Sequence, residues 1–408
     1  MPRTYSWPEG HWNWPVQLTH RHGVRSGAML FTGGQVDLDA SGRVRNPGDV
    51  GRQCNAAMGY LGAVLEDLGA DLSDLVKLVV YFVGDASVEA RILSQIAVLL
   101  GEETRPVVNT IGMPELCYPG LMIEIEGVAM RGEDGSRLDR QCFYLDDMPL
   151  LPSAFSHVIR CGEMIFTGDM SALSPTGSVE GIGDLPAQTK IMMERLCRVL
   201  SVAGADIQDC LKLNVYYAGD GTAEDWEKPA RLRASYFEEP GPAATGMPLA
   251  RFPNPDLLAK IAVTAMRGVD GHRLEKDYAW PEGHWDWTIP LPYKHGNKCG
   301  RIIHVGGQVS LDRSANVIDP DDMVAQTRRA MDNVVAVLAE FGATLDDVVK
   351  VTTFYQGEAS AEALHENLLV RSSAYSAPGP ATTGIPIPAL VYERMVVEIE
   401  AIAMLDRA

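Results

Sequence analysis

From Arg52 to Leu68 the apolar positions Met58, Leu61, Val64, Leu65 and Leu68 recur at steps of three and four, the spacing of an amphipathic helix, and Gly69 follows as its stop. Leu75 to Phe82 is a dense apolar run that predicts a strand, and Val88 to Leu100 predicts a second helix. Met29 to Leu38 begins as an apolar strand and meets a glycine pair at Gly33 and Gly34, the mark of a bulge or a close backbone approach. The last strand, Leu121 to Met130, places Leu121, Ile123, Ile125, Gly127 and Ala129 on one face and Met122, Glu124, Glu126, Val128 and Met130 on the other. The first set suits a helix-covered face. The second mixes carboxylates with large apolar groups and suits a face packed against another domain. Strands, helix, strand, helix, strands is the order of an α+β unit, a mixed sheet with two helices on one face.

The same pattern is written three times. Phe31-Thr-Gly-Gly-Gln35 corresponds to Phe166-Thr-Gly-Asp-Met170 and to His304-Val-Gly-Gly-Gln308, at offsets of 135 and then 138 residues. Those offsets also relate Gln53 to Gln188 and Gln326, and Lys77-Leu-Val-Val-Tyr81 to Lys212-Leu-Asn-Val-Tyr216 and Lys350-Val-Thr-Thr-Phe354. Each period is domain-sized, so three tandem domains are expected over residues 1–133, 140–268 and 276–408. The last-strand carboxylates recur in unit three as Glu398 and Glu400, whereas unit two has Lys260 and Ala262 there. An aromatic string, Trp7-Pro-Glu-Gly-His-Trp-Asn-Trp14, returns as Trp280-Pro-Glu-Gly-His-Trp-Asp-Trp287 ahead of units one and three only.

With 46% apolar residues the 408-residue chain can fill three cores. A formal charge of −19 repels phosphate backbones, so nucleic acid is not an expected partner. The start of the chain is not a basic, apolar leader and no apolar run is long enough to span a bilayer, so no membrane association and a cytoplasmic location are expected. The seven cysteines form no CxxC pair and read as reduced thiols.

The Phe-Thr-Gly-Gly-Gln turn, the helix starts at Gln188-Thr189 and Gln326-Thr327, the Gly-Ala-Asp loop and the closing Val397-Glu-Ile-Glu-Ala-Ile-Ala403 make each unit resemble the Rid family, also called the YjgF or reactive-intermediate deaminase family. That resemblance implies small domains assembled as trimers with ligand clefts between them. Three tandem units are then expected to form a pseudo-threefold, trimer-like ring whose clefts are free to diverge.

The resemblance assigns the water-placing glutamate to Glu124 and Glu398. The family's carboxylate-binding arginine has no counterpart, since its slot holds Val108, Ala244 and Thr382. Arg105 lies close in sequence and is either a surface loop residue or, with a shifted alignment, a cleft residue. Arg251 and Arg394 pointing inward would equally favour a carboxylate substrate. Opposite the glutamate, gap-free alignment brings His20 and His22, Phe155 and His157, and Tyr293 and His295. His22 and His295 are either core imidazoles or acid–base groups, and His20 and Tyr293 are candidate substrate contacts. Gly33 and Gly306 would lend backbone amides to a developing negative charge. The arms either fill gaps between domains or wall the clefts with His11, Trp12, His284 and Trp285. A metal built on His11, His20 and His22 lacks helical spacing and is not expected, and no cofactor is implied.

The expected function is a hydrolase of the deaminase type, acting on a small enamine or imine or a related carbon–nitrogen bond without the family arginine. An uncharged or cyclic substrate follows from that missing cation. Two other readings stay open: a ligand-binding protein without turnover, and a hydrolase that opens a ring at a C–N or C–O bond. Unit two departs at three places, lacking the arm, the glycine pair and the glutamate, so at most two clefts are expected to be competent. The oligomeric state is left open between a monomer and a higher homo-oligomer.

Overall fold

The computed structural model describes residues 3–406, excepting the side chains at 223–225. The outer bounds at 1 and 408 expected for units one and three lie outside the described residues.

Unit one contains β1 (Thr4–Ser6), β2 (Gly23–Ser26), β3 (Met29–Thr32), α1 (Val50–Asp67), β4 (Leu75–Val83), α2 (Ala86–Leu100), β5 (Val107–Met113) and β6 (Ile123–Met130). Its sheet has the order β1-β2-β3-β6-β4-β5, antiparallel except for the parallel pair β4 and β5. Unit two repeats this with β7 (Arg140–Phe143), β8 (Val158–Cys161), β9 (Met164–Thr167), β10 (Met170–Ser171), α3 (Leu185–Val202), β11 (Cys210–Ala218), α4 (Ala223–Ala234), β12 (Ala243–Leu249) and β13 (Ala259–Met266). Unit three has β14 (Asp277–Ala279), β15 (Gly296–Cys299), β16 (Ile302–Gln308), α5 (Met323–Ala339), β17 (Val348–Gln356), α6 (Ala361–Ala374), β18 (Ala381–Ile387) and β19 (Val397–Met404). The sheets have the equivalent orders β7-β8-β9-β13-β11-β12 and β14-β15-β16-β19-β17-β18, with β10 added on β13.

The expected helices and strands are present, with ends moved by capping. Helix α1 starts before Arg52 because the Asp49 side chain accepts from the Arg52 amide, and α2 starts before Val88 because Asp85 accepts from Ser87 and Val88. Strand β6 begins at Ile123, since the Leu121 amide closes a turn onto the Tyr118 carbonyl. Met58, Leu61, Val64 and Leu65 are all buried and meet Ile123, Ile125 and Ala129 of β6, about 1.5–3 kcal/mol for each large side chain.

The opposite sheet faces meet one another. Lys350 pairs with Glu126, Lys212 with Glu400 and Lys260 with Glu89, so each unit touches both others. At the three junctions the same parallel bridge recurs, Arg21 to Ala381, Ser156 to Val107 and Lys294 to Ala243. Met130, Met266 and Met404 close this inner region together with Met29, Met164 and Ile302. Among the described residues no helix is long and apolar enough to cross a membrane.

Candidate functional site

Each junction combines two halves. One half is the last strand, the glycine turn and the aromatic arm of one unit. Glu124 on β6 and Glu398 on β19 sit directly over Gly34 and Gly307, so closely that a Cβ there would lie 1.7 Å and 1.6 Å from the carboxyl oxygens. A side chain at either glycine would evict the glutamate. Gln35 locks the turn by donating to the Gly33 carbonyl (3.0 Å) and accepting from His11 Nε2 (2.8 Å) and Trp12 Nε1 (3.4 Å). Gln308 does the same with Gly306 (3.1 Å), His284 (2.7 Å) and Trp285 (3.2 Å). The arms are therefore tied to the turn that cradles the glutamate.

The histidines stand behind this wall. His22 stacks on Trp14 at 5.0 Å and 6°, and His295 on Trp287 at 5.2 Å and 7°. Burial, with His11 next, holds His22 well below its ordinary pKa, and burial with His284 takes His295 down to about 3. Both are neutral packing groups, and neither lines a cavity described below. Gly33 and Gly306 donate their amides to the His22 and His295 carbonyls at 2.8 Å, so neither amide is available to a developing anion. Arg105 is exposed and donates to the Glu102 carbonyl, Arg394 is exposed and bound to Asp321, and Arg251 is exposed, so none of the three enters a cleft.

The other half comes from the neighbouring unit, from residues outside those expected from the sequence. Tyr217 on β11 and Arg233 on α4 lie across from Glu398, and Tyr355 on β17 and Arg371 on α6 lie on the side of unit three that faces Glu124. Both pairs are related by the 138-residue offset, the signal that could have found them. Unit one has Phe82 for the tyrosine and no arginine from Ile96 to Leu100.

Between units two and three these halves enclose a cavity of about 80 Å³ lined by Arg233, Glu398, Tyr217, Tyr293, Trp226 and Trp285. Arg233 is 5% exposed, yet its Nε and Nη1 have no hydrogen-bond partner among the described residues. Between units three and one the cavity shrinks to about 20 Å³ beside Glu124, Arg371, Trp12 and Trp14, room for about one water. There Arg371 donates from Nε and Nη2 to Asn367 Oδ1 (3.1 and 2.9 Å) and from Nη1 to Thr382 Oγ1 (3.0 Å). Unit two has Pro229 and Ala244 at these positions, which offer no side-chain acceptor. Tyr118 and His365, 3.2 Å apart, further link units one and three beside the smaller cavity, where His20 also contacts the Pro380 carbonyl.

Burial raises the pKa of both glutamates to about 8, opposed by Lys350 and reinforced by Glu126 for Glu124, and opposed by Lys212 and reinforced by Glu400 for Glu398. Both carboxyls therefore hold a proton at neutral pH.

The third junction has neither half. Lys260 replaces the glutamate and Asp169 replaces the cradling glycine, and the two lie 3.5 Å apart. Lys260 also binds Glu89 at 3.0 Å and the Thr110 carbonyl at 3.0 Å, while Asp169 accepts from Asn109 and from the Thr110 amide. Among the described residues no group of three His, Cys, Asp or Glu side chains is placed to hold a metal ion.

The chain matches the family described as endoribonuclease L-PSP three times, over residues 16–131, 148–267 and 289–405. A RutC family protein of Pyrococcus abyssi is 34% identical over 112 residues, 28% of this chain and 85% of that protein. The 2-iminobutanoate/2-iminopropanoate deaminase of Escherichia coli K12 is 28% identical over 113 residues, 28% of this chain and 87% of the enzyme. A chorismatase crystal structure superposes over 81% of this chain and 93% of its own, with a TM-score of 0.53 at 13% identity, a likeness of fold. The chain belongs to the endoribonuclease L-PSP, or Rid, family and carries three of its domains in tandem.

Proposed function

We propose that the chain is a hydrolase that cleaves a C–N bond, as in an enamine or imine, or the related C–O bond of an enol ether, in a small unsaturated carboxylate held between units two and three. The observation that carries this reading is a buried guanidinium, Arg233, with two nitrogens unpartnered, sharing one aromatic-walled cavity with a protonated carboxyl, Glu398. Arg233 would take the substrate carboxylate through a charge-assisted fork. This replaces the expectation of an uncharged substrate, because the cation comes from a helix of the adjacent unit rather than from the family's slot.

Glu398 would act first as a general acid, donating its proton to the carbon of the enamine or enol ether. The resulting cation at the adjacent carbon adds water, the Glu398 carboxylate takes the proton released, and collapse of the adduct expels ammonia or an alcohol. For an imine the proton goes to nitrogen and the same water addition follows. The deaminase relative supports the C–N branch. The walls of Trp226, Trp285, Trp287, Tyr217 and Tyr293 favour a flat ring and support the C–O branch, the chemistry of a ring-opening or ether-cleaving hydrolase.

A panel of 2-imino acids, generated in situ from amino acids, and cyclic enol-ether carboxylates tests the reading by release of ammonia or of a new carbonyl. Turnover of either class that is lost in Glu398→Gln is expected. Tight binding of these acids without turnover would instead identify a non-catalytic binding protein.

A further inference from the structure

The inner sheet faces enclose a second cavity of about 80 Å³, separate from the clefts and lined by all three units. Three equivalent lysines reach it. Lys350 lies 2.5 Å from Glu126 and Lys212 lies 2.8 Å from Glu400. The third, Lys77, shares the cavity with Ala262, which occupies the position of the missing glutamate. Among the described residues no hydrogen bond or ion pair is made by its ammonium. Where Thr245 and Thr383 accept from Lys212 and Lys350, unit one has Asn109, whose amide turns away to Asp169 at 3.1 Å.

Charge in the cavity is therefore unbalanced. Lys212 and Lys350 are each neutralised by a glutamate, and Asp169, the next carboxylate outward, is engaged by Lys260, Asn109 and the Thr110 amide. Among the groups that line the cavity one positive charge is left, that of Lys77; outside the lining, Lys260 is shared by Glu89 and Asp169, and among the described residues neither carboxylate forms an ion pair with Lys77. Beside it His304, 2% exposed, has neither ring nitrogen hydrogen-bonded, and burial with Lys212 next takes its pKa down to about 3, so it is neutral and offers one N–H. Tyr81 and Tyr216 are the other titratable lining groups, and burial keeps both protonated. Burial also lowers the Lys77 pKa, the disadvantage that a counter-ion would relieve. Met29, Met164 and Ile302 line both this cavity and a larger funnel that opens outward, so they form the wall that an entering ion must pass.

We infer that the central cavity is a binding site for one small monovalent anion, a halide in the simplest case, held by the Lys77 ammonium and the His304 N–H in place of the carboxylate that unit two lacks. The anion completes, without a covalent tether, the third of three Lys–carboxylate pairs.

Crystals of the full chain grown in bromide are expected to give an anomalous peak between Lys77 and His304. At equal ionic strength, replacing gluconate by chloride should raise the thermal midpoint, by about 2 °C for each tenfold rise in chloride above its dissociation constant. Ala262→Glu supplies the missing carboxylate and should abolish both the peak and the chloride response, as should Lys77→Met. No bromide peak in the wild type, or an unchanged chloride response in Ala262→Glu, would overturn the assignment. Should Lys77→Met not fold, the wild-type crystal and Ala262→Glu decide the matter between them.

Discussion

In the cleft between units two and three the guanidinium of Arg233 borders about 80 Å³ of space with two nitrogens unpartnered, whereas between units three and one every guanidinium nitrogen of Arg371 has a partner in Asn367 or Thr382, beside about 20 Å³. The carboxyl halves of the two are nearly superposable in kind: a glutamate over a glycine, a glutamine tied to an aromatic arm, a pKa near 8. The glutamates thus single out two candidate clefts without choosing between them. The choice lies in the acceptors around the arginine. Two side chains in unit three satisfy Arg371 within the fold, and their replacement by Pro229 and Ala244 leaves two nitrogens of Arg233 without a partner among the described residues. A buried, unsatisfied guanidinium lowers stability, and such a cost persists where a ligand relieves it.

The strongest way to break the comparison is through the acids. Glu398→Gln is expected to lower kcat/KM by about 10³-fold, and Glu124→Gln by no more than about twofold. Equal losses would mean that both clefts turn over. The arginines come next. Arg233→Met should lower kcat/KM by roughly 10²-fold, mainly through KM. Arg371→Met should leave kinetics nearly unchanged but destabilise the fold by about 1–3 kcal/mol, because Asn367 and Thr382 lose their donor, as read from denaturant melts.

Much of this molecule is legible in its sequence, because periodicity and repetition report on backbone and core. The α1 stripe, the β6 alternation and the 135- and 138-residue offsets locate the three units, and the pattern around Glu124 and Glu398 marks the two glutamate-bearing junctions. The same lens misplaces the rest of the site. Arg105 is near the expected arginine in sequence but is exposed and lines neither cavity, while Arg233 and Arg371 stand on helices of the neighbouring unit. A cleft between domains is assembled across an interface, and a local alignment of one unit with another holds no record of which faces meet. His22 and His295 mislead differently: an imidazole recurring in all three units suggests chemistry, but the recurrence reflects a packing slot beneath the arm or, for His157, contacts to the Pro149 carbonyl and the Leu145 amide.

A finer test converts one cleft toward the other. Ala244→Thr places beside Arg233 the hydroxyl that Thr382 gives Arg371, and it should lower kcat/KM by roughly tenfold by satisfying the guanidinium internally. Asn367→Ala with Thr382→Ala should have the converse effect and let the smaller cleft bind a carboxylate ligand in a second, weaker phase of a calorimetric titration.

Protonation treats the two clefts alike and so separates acidity from activity. Each carboxyl titrates at about 8 in the folded chain against 4.5 ordinarily, so the folded state holds the extra protons between those values. Their contribution to stability is complete below about 4.5 and is lost as pH rises through 8. Glu124→Gln and Glu398→Gln should each raise stability at pH above 8, by on the order of 2 kcal/mol. Only kcat/KM of the wild type and of Glu124→Gln should fall as pH rises through about 8, where Glu398 surrenders its proton.

The smallest kinetic effect is expected at the third junction. Lys260 stands where the glutamates stand, but it is spent on Glu89, Asp169 and the Thr110 carbonyl, and burial is outweighed there by the two carboxylates, which raise its pKa. Lys260→Ala should therefore change kcat/KM by less than about twofold while destabilising the fold by about 3 kcal/mol, because it strands buried carboxylates. Adding Asp169→Gly removes one of them and should restore part of that loss in a double-mutant cycle. A tenfold kinetic defect in Lys260→Ala with an unchanged melt would move catalysis to this junction and reverse the ranking of the three clefts.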